Sequence, residues 1–108
     1  MSTWRVAFLF VALLGFEGTA YSQQPPLTEK EVHVFCAAAN ALLAVKMEPG
    51  MLADRIAAES RRHADAARQF GATETDLQQV IKAMSLSYNE KRLSWDKIVD
   101  AGRDCADI

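Results

Sequence analysis

Two cysteines constrain this chain more than any other residues. Cys36 and Cys105 are the only two it has, and they lie near the two ends of the segment that reads as folded. In an oxidising compartment such a pair closes, and two sulfurs allow one pairing. The loop enclosed is about 70 residues, for which the chain-entropy model gives about 4 kcal/mol. That is comparable with the whole stability expected of a small domain. The fold must therefore bring its first and last elements together.

Whether the pair meets an oxidant depends on where the chain goes. Met1–Arg5 is a short n-region with one positive charge, and Val6–Phe16 is an apolar run broken only by Gly15. Glu17–Ser22 is a polar, small-residue c-region. This is the pattern of a signal peptide, and the apolar run falls short of the roughly 20 residues that span a bilayer. Cleavage before Gln23 places Ala20 and Ser22 at the −3 and −1 positions; a cut after Ala20 is the alternative. We read residues 1–22 as the leader, 23–27 as a flexible Pro-rich lead-in and 28–108 as the domain. No Cys near the cut offers a lipid anchor. The leader carries Arg5 and Glu17, so its loss leaves the net charge at −2. That near-neutral balance points to no nucleic acid and no anionic surface. About 86 residues remain, a length at which a hydrophobic core alone is marginal.

The spacing of apolar residues predicts four helices and no strand. Thr28 and Glu31 make a capping box for helix 1, with Leu27 and Val32 at the staple positions. Phe35–Val45 contains one polar residue, Asn40, so helix 1 is apolar nearly all round. Such a helix is either central or a contact surface. Pro49-Gly50 ends it. Helix 2 runs from Met51 to Phe70 with Leu52, Ile56, His63, Ala67 and Phe70 as its inner stripe, and Gly71 stops it. Helix 3 begins at Thr73, with Asp76 completing an imperfect box and Asn89 as its stop. Its stripe is Leu77, Val80, Ile81, Met84 and Tyr88. Helix 4 is capped by Ser94, with a Leu93–Ile98 staple and Trp95, Ile98, Val99, Gly102, Cys105 and Ala106 on one face. Four amphipathic helices with short connections predict an all-α, antiparallel four-helix bundle. Helix 4 then returns along helix 1, bringing Cys105 to Cys36.

Few residues could carry chemistry. His63 lies on the inner stripe of helix 2, where an imidazole could titrate or bind a metal. One His with no Cys or His nearby in sequence makes no metal site, and the plainer role is a buried ring held by a carbonyl or carboxylate. His33 sits beside the core face of helix 1 at an exposed position, and nothing in the sequence brings it to His63. Met47 and Met51 flank Glu48-Pro49-Gly50 as two soft ligands, but a Cu(I) site needs a third; gap-filling packing is the plainer reading. Trp95 either caps the core or anchors a partner. The arginines of helix 2 are interleaved with Asp54, Glu59 and Asp65, the pattern of a solvated face. Hydrolase, metalloprotease and phosphate-loop signatures are absent from the sequence, and no cofactor is expected.

The layout is similar to that of small periplasmic helical proteins such as acid-stress chaperones and secretion-system immunity proteins. That likeness rests on size and plan, and no motif carries a residue across. The expectation is a non-enzymatic protein, periplasmic or secreted, that binds a protein partner as a chaperone, inhibitor or assembly factor. A small-ligand or metal carrier with a pocket between helices is the alternative. The alanines of helix 1 (Ala37, Ala38, Ala39, Ala41 and Ala44) permit close helix packing, either inside the bundle or across a homodimer.

The exported product is expected to begin at Gln23 and to weigh two hydrogens less than its dithiol form. Intact mass spectrometry reads both; a retained leader or two free thiols would overturn the assignment.

Overall fold

The computed structural model describes residues 26–108; the leader and residues 23–25 of the lead-in lie outside the described residues. Four helices account for nearly all of them: α1 (Glu29–Lys46), α2 (Met51–Gln69), α3 (Glu74–Asn89) and α4 (Trp95–Ala106). No strand occurs among the described residues.

The helix starts follow from side-chain caps. The Thr28 hydroxyl accepts from the Glu31 amide and Glu31 accepts from the Thr28 amide, so both halves of the capping box form. Thr73 and Asp76 do the same for α3, a complete box with the acid one carbon shorter than usual. Ser94 caps α4 through the Lys97 amide. Gly50 opens α2 without a side-chain cap. The residues at both staple positions join the core, with Leu27 packed against the cluster that holds Val32, Leu93 and Ile98.

The helix ends are governed by backbone handedness. After α2 the Ala72 amide donates to the Ala67 carbonyl and the Gly71 amide to Arg68, with Gly71 at φ 100°. This is the Schellman closure, which needs a left-handed residue at its centre. The same closure ends α3, where Arg92 donates to Ser87 and Lys91 to Tyr88. Here the left-handed residue is Lys91, at φ 63°. Asn89, expected as the stop, is the last helical residue.

Packing turns on α1. From Val32 to Asn40 every residue is buried, as are Leu42 and Leu43. The other three helices all pack on α1, most extensively α2, and touch one another only sparsely. The apolar surplus of helix 1 is thus absorbed within one chain, as a central helix. Asn40, the polar exception, donates to the Cys36 carbonyl one turn back in its own helix.

Contact pairs give the directions. His33 meets His63 and Ala37 meets Ser60, so α2 runs against α1. Val34 and Ala37 share a small cluster with Leu77, while Lys46 lies over the Tyr88 ring, so α3 runs with α1. Cys36 meets Cys105 near one end and Trp95 reaches Tyr88 near the other, so α4 runs against α1. Gly102 allows the close approach of α4: a Cβ there would lie 2.7 Å from Leu43 Cδ1.

The inner face of α2 differs from the predicted stripe. Leu52 and Phe70 are exposed, and the buried positions are Ala53, His63 and Ala67, with Ile56 and Ser60 half-buried between them. The alanine-rich surface of α1 accepts small residues, so α2 turns its small side chains inward and its large ones out.

Replacing Lys91 with glycine removes the left-handed penalty at an exposed site. Lys91→Gly is expected to stabilise the protein by about 1 kcal/mol, read as a raised denaturation midpoint at unchanged slope.

Candidate functional site

The polar centre of the molecule lies where α1, α2 and α4 meet. His33 and His63 are both buried, His63 completely. Their Nδ1 atoms are 2.9 Å apart. His63 Nε2 lies 3.1 Å from the carbonyl oxygen of Cys105, the disulfide residue in the last turn of α4. The Phe70 ring stacks on His33 at 5.9 Å between centroids, covering the pair from the C-terminal end of α2. Beside it, Cys36 and Cys105 form the disulfide, with Cα atoms 5.6 Å apart, inside the usual range.

The protons can be placed. A carbonyl accepts only, so the Cys105 contact requires hydrogen on His63 Nε2. His63 Nδ1 is then bare and accepts from His33 Nδ1–H. Arg62 Nη2 stands 3.2 Å from His63 Nε2 and donates to Glu59 at 2.7 Å; as a donor-only group it is no partner for a protonated Nε2, which the Cys105 carbonyl satisfies. Burial, then the Arg62 charge, then His33 hold the His63 ring below the ordinary histidine value; the Cys105 carbonyl and Glu59 oppose them. A neutral ring is therefore the native form. The sign follows: the unfolded chain takes up a proton before the folded one does. The stability contributed is full above the ordinary value of about 6.5 and is lost as pH falls from there to the depressed value.

This site was half legible in the sequence. His63 was expected inside. His33 was expected to be exposed and unconnected, and the structure corrects both points. A signal was present: His33 and His63 each lie fifteen residues from Glu48, the middle of the turn joining two antiparallel helices. Equal distances from a tight turn place residues opposite one another.

The remaining candidates are apart from this pair. Met51 and half-buried Met47 lie at the far end of α2, twelve or more residues from His63, which is about 18 Å along a helix. Among the described residues no group of three ligating side chains could hold a metal. Trp95 is half-buried against the core, edge-on to Tyr88. Arg68 is paired with Asp65 and Glu74. An open groove of about 440 Å³ separates α2 from α3, with Ala37 as floor, Ser60, Ala64, Leu77 and Ile81 as walls, and Arg68, Glu74 and Lys82 on its rim. A narrow void lies between Phe35, Met84 and Ile98. Neither is lined by His63, Met47 or Met51. No described helix is long and apolar enough to cross a membrane.

Compared with protein-family models, curated proteins and solved structures, the chain matches none.

The disulfide tie can be removed without touching the histidines. The Cys36→Ser/Cys105→Ser protein is expected to lose about 4 kcal/mol in urea unfolding. A loss under about 1 kcal/mol would mean that helix packing alone holds α4 on α1.

Proposed function

We propose that the mature chain is an exported, non-enzymatic protein of an oxidising compartment that binds a protein partner through one apolar end. The observation that carries this reading is the grouping of large exposed hydrophobics. Val45 and Met51 are each 78% exposed and Leu52 is 59% exposed, and the tight turn between α1 and α2 holds all three at one end of the molecule. Leu86 is exposed in the last turns of α3, the helix whose Tyr88 meets Lys46 at that same end. Single exposed apolar residues are ordinary; a group at one end of a small domain marks a contact surface. Methionine suits such a surface because its flexible thioether adapts to the side chains it meets. The disulfide, compatible with an oxidising compartment, ties α1, the helix that carries Val45, to α4. Chaperone, inhibitor and assembly factor all fit this description.

The groove between α2 and α3 favours a second reading, a carrier of a small ligand. Its volume falls in the roughly 300–1,000 Å³ range of ligand sites, and it joins apolar walls to charged rims.

The two readings separate by substitution. Val45→Ser/Met51→Ser/Leu52→Ser alters exposed side chains and is expected to fold normally, with a melting curve like that of wild type. Immobilised wild-type protein is expected to retain a defined partner from envelope extract, and the triple variant at least tenfold less of it. Equal retention by both proteins, or none by wild type, would overturn the apolar-end reading.

A further inference from the structure

We propose that the His33–His63 pair is a proton-operated latch: when both rings are charged, the C-terminal half of α2 swings off α1 while the disulfide keeps α1 and α4 joined. This goes beyond partner binding and does not depend on it.

The first ground is what attaches α2. Its buried residues are Ala53, His63 and Ala67, so the single large side chain that it buries fully is a histidine. Two alanines supply little apolar area, and half-buried Ile56 adds a share near the other end. The other polar ties of the C-terminal half of α2 are the hydrogen bond from Ser60 Oγ to the Ala37 carbonyl, at 2.8 Å, the contact of His63 Nε2 with the Cys105 carbonyl, and the exposed Arg68–Glu74 ion pair to α3.

The second ground is the geometry of the contact. Two Nδ1 atoms at 2.9 Å share one hydrogen, whichever ring supplies it, so the other nitrogen must be bare. One added proton is accommodated, because Nε2 of His33 is on the far side of its ring. A second added proton, taken from solvent like the first, puts hydrogen on both facing nitrogens. The bond then becomes a contact between two cations.

The third ground is what surrounds the pair. On α2, Arg62 adds positive charge, and Glu59, 3.9 Å from His63 Nε2, already holds Arg62. On α4 the Cys105 carbonyl faces Nε2, and buried Asp104 precedes it. On α1, Glu29 and Lys30 lie one turn before His33 and carry opposite charges. No carboxylate fits between nitrogens 2.9 Å apart, so none restores the lost bond.

The motion has a natural boundary. Val34, Ala37, Ala67, Ala72 and Leu77 form an apolar cluster separate from the main core, and opening uncovers it together with the Phe70 ring. The main core, where Cys36, Cys105, Met84 and Ile98 pack, stays closed.

Hydrogen exchange on the disulfide-bonded mature chain, corrected for the intrinsic effect of pH, tests this from pH 7.5 to 4.5. Opening at Ser60–Gln69 is expected to rise about tenfold per pH unit for each proton taken up, with α1 and α4 unchanged. His33→Gln, which places a neutral amide opposite His63, is expected to flatten that dependence. Flat protection across α2 in wild type, equal loss in all four helices, or an unchanged acid response in the variant would overturn the proposal. If the variant does not fold, the wild-type imidazole resonances decide. The chain has two histidines, and protonation of the His63 ring is expected at the pH where α2 opens. A His63 ring that takes up its proton while α2 stays closed would overturn the latch.

Discussion

Everything in this fold is arranged around the need to cover α1. A helix buried from Val32 to Asn40 has no face left for solvent, so it is stable only inside a sleeve made by its neighbours. Three helices form that sleeve, and because they touch one another little, each is held chiefly by what it gives α1. α4 supplies a covalent bond and a close approach at Gly102. α3 supplies Met84, Leu77 and the half-buried Val80 and Ile81. α2 supplies length, small side chains and a histidine.

That division explains what could be read from residues alone. Periodicity located all four helices, because their stripes and caps are local signals: Thr28 with Glu31, Ser94 before Trp95, Gly71 after Phe70. The disulfide was legible because two cysteines leave no choice of partner and the antiparallel return of helix 4 brings them together. The orientation of α2 was not legible. A rule that turns large apolar residues inward selects Leu52 and Phe70, whereas the surface they would meet is built of alanines. The spacing Ala53, Ile56, Ser60, His63, Ala67 fits that surface, yet its residues are too small or too polar to stand out as a stripe.

The same blind spot concealed the histidine pair. A His beside an apolar face reads as exposed when the face is taken to have an edge, and α1 has none. Once the sleeve is complete, position 33 is inside whatever residue occupies it. Two polar rings then share one enclosed place and satisfy each other, as buried polar groups must. The left-handed Lys91 is a further feature set by tertiary context, since the closing turn must direct Leu93 and Ile98 onto the core and local preference gives way to that.

The bond between Cys36 and Cys105 also has a topological meaning. It makes a covalent ring of the chain, with α2 and α3 strung on it between fixed points. Neither helix has a free end of its own, so one that leaves its seat does so as part of a closed loop. A helix displaced from such a ring stays within reach of its own seat, and its return is a unimolecular event that dilution does not slow.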